Sequence, residues 1–285
     1  MMRSMFSAIS GLRAHQVMLD VTANNIANVN TVGYKSQRTS FKEALSQLQK
    51  GASAPSSALG GTNPAQIGLG VQMSGIDSQM SGGAIQSTGN PLDLAIQGDG
   101  MFRLKTWDTT TGAFSTGTTY TRAGNFTVDK DGYMVTPDGY YAVGYQYDNV
   151  GGTYVVPLTE VRIQLPTTSK SIAVGQDGLV TSVDASGTST IVGRITLAKF
   201  ANSSGLERVA ANKYRSSNNS GPETVGTPGD ANGLGALAAG SVEMSNVDLA
   251  QEFTTMITAQ RGFQANSRII SSADQMLEQL VNLGR

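Results

Sequence analysis

The sequence predicts an α+β fold: one long helix at each end of the chain, paired in a coiled-coil-like manner, and a central all-β domain joined to them by extended arms. Three observations predict it. Apolar residues repeat with the helical period near both ends, the period changes to two in the middle, and stretches rich in glycine, serine and asparagine separate these regions. The expected segments are residues 1–30 (helix), 31–90 (arm), 91–202 (β domain), 203–241 (return arm) and 242–285 (helix).

The N-terminal helix is predicted by apolar or neutral residues that are spaced alternately three and four apart from Met2 to about Val29. This heptad spacing places them in one narrow stripe along a helix about 40 Å long. Several asparagines and Gly33 then favour turns and caps, so the helix should end near them. One apolar stripe needs a partner. The large residues expected in it are Met5, Ile9, Leu12, Leu19 and Ile26.

The C-terminal helix is predicted from about Val242 to Leu283, where large apolar residues fall seven apart over about 60 Å. Ser245 or Asn246 is the expected N-cap, before Asp248, and Gly284 follows the last turn. The row that we expect to be buried by assembly contains Leu249, Phe253, Met256, Phe263, Ile270 and Leu277. Polar residues in the adjacent row weaken a self-contained two-helix coil and favour packing with several neighbours.

The central β domain is predicted from alternating residues between Tyr120 and Tyr147, interrupted by Asp131-Gly132 and Asp138-Gly139, which favour hairpin turns. Asp177-Gly178 predicts another tight turn. Further strands are expected at Leu92 to Ile96, Met101 to Lys105, Tyr154 to Val156, Val161 to Leu165, Ser171 to Val174, Leu179 to Val183 and Arg194 to Phe200. Two stretches, Gly51 to Asn63 and Ser203 to Gly240, are expected to lack regular structure.

Composition excludes several classes of function. Only 14% of the 285 residues are charged, and 20 basic against 21 acidic residues give a net charge of −1, so no nucleic-acid partner is expected. The chain has no cysteine and one histidine, which excludes thiol nucleophiles and zinc fingers. No metal or other cofactor is expected. No apolar run is long enough to span a bilayer, and the first residues lack the pattern of a cleaved signal peptide, so we expect no membrane insertion, no cleaved signal and, if the protein is exported, another route.

Individual polar residues favour structural roles. His15 lies on the N-terminal helix with no Asp, Glu or Cys at ligand spacing, which favours packing over catalysis. Asp129 and Asp131 resemble the opening of a calcium loop, but the closing glutamate is missing, so a hairpin turn is the better interpretation. We expect no catalytic residue and no enzyme.

Two alternatives remain open. A secreted glycan-active enzyme would need a pair of carboxylates, for which Asp93, Asp99, Asp108 and Glu160 are available, although nothing distinguishes them from surface or turn residues. The apolar stripes of the two helices also fit the core of an ordinary helical hairpin, which predicts a soluble monomer.

Several motifs resemble a known family. Residues 23–35, 87–96, 120–126 and 244–249 with 259–266 are similar, in this order, to the signatures of the bacterial flagellar rod and hook family, and the resemblance covers nearly the whole chain. The motif residues are Asn24, Asn25, Asn28, Asn30, Gly33, Tyr34, Asn90, Leu92, Asp93, Asn246, Arg261, Gly262 and Phe263.

The resemblance implies a subunit of a helical homopolymer whose terminal helices form the inner wall of a tube. It implies export without a cleaved signal through the flagellar type III apparatus, and contacts with rod, hook-cap and hook–filament junction proteins. Residues 261–264 resemble the hook subunits, in a short form with one β domain. The expected location is therefore the extracellular hook, the flexible coupling that transmits motor torque to the filament. The alternative within the family is the distal rod of the basal body.

Overall fold

The computed structural model describes residues 2–55, 60–108, 112–146, 160–166, 169–230 and 232–283. The fold is α+β, with helix α1 (Met2–Ala27) at the beginning, helix α2 (Leu249–Leu283) at the end, and strands between them. The chain divides into two compact units. Unit 1 comprises Met1–Ala27, Gln37–Gln79 and Val247–Arg285, and unit 2 comprises Asn28–Ser36 and Met80–Asn246.

The strands have the following bounds. Unit 1 contains β1 (Gln37–Glu43), β2 (Ser46–Lys50), β3 (Ala65–Gly68) and β4 (Val71–Ser78). Unit 2 contains β5 (Ile85–Ser87), β6 (Leu94–Gln97), β7 (Met101–Asp108), β8 (Ala113–Thr121), β9 (Thr127–Val128), β10 (Met134–Val135), β11 (Tyr141–Gln146), β12 (Glu160–Arg162), β13 (Ser169–Val174), β14 (Leu179–Asp184), β15 (Ser189–Ile195), β16 (Leu197–Lys199), β17 (Glu207–Val209), β18 (Lys213–Arg215), β19 (Thr224–Gly226), β20 (Ala236–Ala239) and β21 (Ser241–Glu243).

In unit 1 the two helices pack against each other and run antiparallel. A Cβ atom added at Gly11 of α1 would lie 2.5 Å from Asn266 Nδ2 of α2, and one added at Gly262 of α2 would overlap the ring of His15. Further along α1, Asn25 Nδ2 donates to Glu252 Oε1 at 2.9 Å. Residues with higher numbers on α1 therefore contact residues with lower numbers on α2, as in an antiparallel pair.

The buried residues of this helix pair are small. They are Ala8, Gly11, Ala14 and Thr22 on α1 and Ala259 and Ala273 on α2, with Asn25 near the end of α1 as the larger exception. Small residues let two helix backbones approach closely, whereas a heptad coil buries large side chains. The helices are thus paired, but the coiled-coil geometry of that pairing stays a prediction.

The N-cap predicted for α2 was wrong. Asp248 caps the helix, because its Oδ1 accepts from the backbone N–H groups of Ala250 at 2.9 Å and Gln251 at 3.3 Å. The side chain of Asn246 is engaged elsewhere: its Oδ1 accepts from Ser36 N at 2.8 Å. Helix α1 ends at Ala27, among the asparagines where an end was expected.

Both segments that were expected to be arms contain strands. Within 31–90, β1 pairs with β4 and β2 with β3, and Ser53 and Thr62 form an isolated bridge between β2 and β3. The prediction that Ser203 to Gly240 lacks regular structure was wrong. β17 pairs with β18, β19 with β16, and β20 with β6. These strands have three or four residues, too few for a clear period, and most of their partners are distant in sequence.

Unit 2 is built on a 13-stranded sheet whose main path runs β13-β14-β15-β11-β7-β8-β18-β17. Its core includes Leu94, Phe102, Leu104, Phe126 and Ile195, each almost fully buried. Phe102 and Phe126 meet edge to face at 5.1 Å. The three predicted Asp-Gly turns are confirmed, since Gly132, Gly139 and Gly178 all adopt positive φ. Tyr154 to Val156 lies outside the described residues.

Candidate assembly interface

Exposed large hydrophobic side chains concentrate in unit 1. Sixteen of the nineteen found among the described residues belong to it, although it is the smaller unit. Soluble monomeric proteins rarely leave such side chains exposed in groups, and grouped ones mark interaction surfaces. We therefore expect contacts with other molecules to be made by unit 1.

Helix α2 carries a clear row of these residues. Leu249, Phe253 and Ile257 follow one another at four-residue intervals, and their side chains are 40%, 49% and 58% exposed. Residues four apart lie on one face of a helix. We call this set the α2 row. Phe263 is also exposed, so three residues of the predicted apolar row, namely Leu249, Phe253 and Phe263, are open to solvent.

The other predicted interface residues are half-buried. These are Met5, Ile9, Leu12, Leu19 and Ile26 on α1, and Met256, Ile270 and Leu277 on α2. The helix contact thus passes through the small residues described above, and the large apolar residues flank it. Their role in assembly stays a prediction.

Sequence reasoning missed a second exposed set on the strands of unit 1 and on the residues that adjoin them. It consists of Phe41, Leu45, Leu48, Ile67, Leu69, Val71, Met73 and Ile76. Strand β2 is exposed at every residue, and so is β3. The sequence contains a pattern that indicates this set, because apolar residues occur at every second position at Ile67, Leu69, Val71 and Met73.

The asparagine-rich motif at the end of α1 folds the chain through specific hydrogen bonds. Asn25 is buried; its Nδ2 donates to Gln37 O at 2.8 Å, and its Oδ1 accepts from Gln37 N at 3.0 Å. Asn28 Oδ1 accepts from Thr31 Oγ1 at 3.1 Å. Asn24 and Asn30 are exposed. The motif therefore joins the end of the helix to the following strand.

Gly33 and Tyr34 are fixed within unit 2. Gly33 has a φ of 68°, which favours glycine, and an added Cβ would overlap the backbone of Ala123. Its N–H donates to Glu243 O at 2.8 Å. Tyr34 is buried, and the guanidinium of Arg208 lies 4.8 Å from its ring centre.

The motif at residues 87–96 forms a turn. Asn90 Oδ1 accepts from Leu92 N at 3.3 Å, and Thr88 Oγ1 donates to Asp93 Oδ2 at 2.6 Å. Leu92 packs against the core of unit 2. Asp93 therefore has a turn partner.

Two other carboxylates considered for catalysis also have partners. Asp99 pairs with Lys199 at 3.0 Å, and Glu160 pairs with Arg103 and Lys105. These ion pairs give both carboxylates a structural role that involves no substrate.

A buried ionic cluster that the sequence analysis did not predict links three segments of unit 2. Glu243 Oε1 accepts from Lys35 Nζ at 2.6 Å and from Gly83 N at 2.9 Å, and its Oε2 accepts from Arg122 Nη1 at 3.1 Å. The three charged side chains are at most 5% exposed. Lys35 and Arg122 lie in the family motifs at residues 23–35 and 120–126.

The cluster holds two cations and one anion, and backbone carbonyl groups satisfy the remaining donors. Lys35 donates to Ser81 O at 2.8 Å, and Arg122 donates to Gly98 O at 2.7 Å. Burial lowers the pKa of the Lys35 ammonium, and the hydrogen bond that it donates to Glu243 opposes that shift. Such a cluster holds chain segments together.

Among the residues that the structure describes, no group of three or more His, Cys, Asp or Glu side chains is placed to hold a metal ion. No helix there is long and apolar enough to cross a membrane. The exposed apolar surface of unit 1 is typical of a surface that contacts other protein molecules.

Comparisons with known proteins identify the family. Three descriptions match: "Flagella basal body rod protein" over residues 5–35, "Flagellar hook protein FlgE/F/G D1 domain" over residues 95–182, and "Flagellar basal body rod FlgEFG protein C-terminal" over residues 238–283. The chain is 50% identical to the flagellar basal-body rod protein FlgG of Bacillus subtilis over 286 residues, covering 100% of both chains.

Other relatives agree. The FlgG rod protein of Caulobacter vibrioides is 38% identical over 97% of both chains. The flagellar hook protein FlgE of Borreliella burgdorferi is 28% identical over 449 aligned positions, which cover 99% of this chain and 100% of the relative. The chain belongs to the flagellar rod and hook family of structural proteins, as its motifs indicated.

Proposed function

We propose that this chain is the distal rod subunit of the flagellar basal body and that copies of it assemble through unit 1. The observation that carries the proposal is the full-length match, at 50% identity, to a basal-body rod protein of equal length. The alignment to a hook protein needs 449 positions instead of 286. This chain therefore has the length of the rod relatives, which supports the rod over the hook.

The motif that indicated a hook has another explanation. Arg261, Phe263 and Gln264 are exposed, and Gly262 lies against His15 in the contact between α1 and α2. Of the four residues, only Gly262 therefore takes part in the contact between the two helices. A motif of four residues weighs less than the full-length match to a rod protein, so we give it less weight in the choice between rod and hook.

The physical drive for assembly is burial of the exposed apolar side chains of unit 1, worth roughly 25 cal/mol for each Å² removed from water. A net charge of −1 limits repulsion between copies. Under this proposal the partners are further copies of the chain, neighbouring rod and hook proteins, and the type III export apparatus. The protein acts outside the cytoplasm and is not an enzyme.

Electron microscopy of basal bodies from cells that lack this chain tests the proposal. We expect a truncated rod, because distal subunits are missing. A complete rod without a curved extension would contradict it and assign the chain to the hook. Re-expression of the intact chain restores the rod and serves as the control, and glycan cleavage by the purified chain would revive the enzyme alternative.

A further inference from the structure

An apolar groove lies on unit 1 between α1 and β4, and we propose that it receives the α2 row of a second copy of this chain. The inference rests on the proposed self-assembly and specifies which two surfaces meet. The groove has a volume of about 520 Å³. Phe6, Ile9 and Val17 of α1 and Val71 and Met73 of β4 supply most of its lining.

The groove is preformed. The backbone N–H of Val71 donates to Ser10 Oγ at 3.2 Å, which ties the start of β4 to α1. Gly70 has a φ of 109°, and an added Cβ would overlap Ser10 Oγ, so only glycine permits this approach. Two rigid elements thus form the walls, and an occupant does not need to create the groove by displacing them.

The α2 row has the spacing of a helix that binds in a groove. Such helices insert side chains three or four residues apart along one face. Leu249, Phe253 and Ile257 satisfy this at intervals of four, and all three are at least 40% exposed. Helix α2 is already ordered, so little conformational entropy is lost when the row is buried.

The row of one copy does not reach its own groove. Asn25 contacts Glu252, which places the row beside the end of α1, whereas the groove spans the part of α1 from Phe6 to Val17. The centres of the two features are separated by roughly 12 residues, or about 18 Å along the helix axis. A second copy is therefore the source of the row.

Charges agree with this pairing. Arg13 is exposed on the groove wall, and none of the ion pairs among the described residues involves it. Asp248 is exposed at the beginning of the α2 row. A carboxylate beside the row and a guanidinium beside the groove are complementary, which favours this orientation over the reverse one.

The geometry of the assembly follows. Groove and row are different surfaces, so every copy offers one of each and the contact does not close into a two-fold dimer. Head-to-tail contacts of this type produce rings or open helical filaments. Because the groove and the row lie at different positions along the helix axis, each copy is displaced along that axis from the copy before it. This displacement produces an open helical filament, which a rod needs, and not a closed ring.

Disulfide cross-linking tests the pairing directly, because the chain has no cysteine of its own. A strain without the natural gene carries two alleles, Met73→Cys in the groove and Ile257→Cys in the row. Basal bodies are isolated, oxidised and separated without reductant. We expect a covalent dimer when both alleles are present, and its loss when either is expressed alone.

Thr258→Cys combined with Met73→Cys is the matched control. Thr258 is exposed and adjacent to Ile257, but lies about 140° around the helix from Phe253. This pair is expected to give no dimer. Two outcomes would overturn the proposal. One is an equal amount of dimer from the test pair and the control pair. The other is no dimer from Met73→Cys with Ile257→Cys although both variants are found in rods.

If either variant does not enter rods, Val71→Cys with Phe253→Cys provides the same test, since it moves two residues along β4 and one turn along α2 on the same faces, and absence of its dimer is equally decisive. Electron microscopy of the same samples separates the two proposals. Cysteine variants found in a curved hook would reject the rod assignment, whereas rods without the dimer would reject only the pairing of groove and row.

Discussion

The two units use their hydrophobic residues in opposite ways. In unit 2, large side chains such as Phe102, Leu104 and Leu197 are almost completely buried. All twelve of the largest fully buried side chains among the described residues belong to this unit. In unit 1, the helices meet through alanine, glycine and threonine, while side chains such as Phe253 remain in solvent.

This difference separates two tasks within one chain. Unit 2 obtains its stability from its own core and from a buried ionic cluster, as an independent domain does. Unit 1 pairs its helices with small residues and keeps its large apolar surface for other molecules. Hydrophobic content alone does not distinguish these tasks; the decisive feature is which side chains the fold covers.

The largest expected effect comes from truncating one phenylalanine in each unit. Phe102→Ala removes a core ring that packs against Phe126, so the free energy of unfolding should fall by about 3–5 kcal/mol. Phe253→Ala changes a half-exposed side chain and should alter it by about 0.5 kcal/mol or less, while reducing assembly. Urea unfolding of dilute protein measures both. Similar losses from the two variants would remove the contrast between the units.

The next effect concerns the ionic cluster. Glu243→Gln leaves Lys35 and Arg122 buried without their anion, which should destabilise unit 2 by about 3–5 kcal/mol. Glu207→Gln breaks an exposed pair with Arg215 and should cost less than about 1 kcal/mol. Thermal unfolding compares the two variants. A loss in Glu243→Gln as small as that in Glu207→Gln would mean that the cluster does not stabilise the fold.

A smaller effect is expected at the helix contact of unit 1. Gly262→Val places a side chain where the His15 ring lies, and should destabilise the helix pair by about 1–3 kcal/mol. Ala265→Val lies on an exposed part of the same helix and is the control. Helical circular dichroism during unfolding provides the measurement. Recovery in the double variant with His15→Ala would locate the effect at this contact; no recovery would contradict it.

The smallest effect is a pH dependence in unit 1. Burial, together with the charge of Asp248, raises the pKa of Glu252 in the folded state, so the folded helix pair binds the proton more tightly than the unfolded chain does. This contribution to stability is present below the unfolded pKa, near 4.5, and is lost as pH rises through the folded value. Glu252→Gln should remove the dependence and change stability at neutral pH by less than about 1 kcal/mol. An unchanged dependence in that variant would assign it to another group.

Several features were predictable from the sequence. Both helices follow from their period, and the Asp-Gly turns follow from the positive φ that glycine tolerates at Gly132, Gly139 and Gly178. The family motifs identified the class of protein. The choice of hook over rod was less successful, since the relative that is 50% identical over the whole chain is a basal-body rod protein.

Other features were not predictable from local patterns. Large apolar residues give a strong periodic signal, whereas Ala259 and Ala273, which form the helix contact, give almost none. The strands at Glu207–Val209 and Ala236–Ala239 are short, and β20 pairs with β6, which lies far away in sequence. Glu243 shows no local reason for burial, because its cationic partners Lys35 and Arg122 are 208 and 121 residues away in the sequence.

The separation between Lys35 and Glu243, 208 residues along the chain, has a consequence for the order of folding. When the chain emerges N-terminus first, the buried cations Lys35 and Arg122 lack their anionic partner Glu243 until almost the whole chain is present. Contacts of such long range also slow folding, because a large loop must close first. Unit 2 therefore cannot complete its buried ionic cluster until Glu243 is present. A chain that remains unfolded until then can pass through a narrow channel.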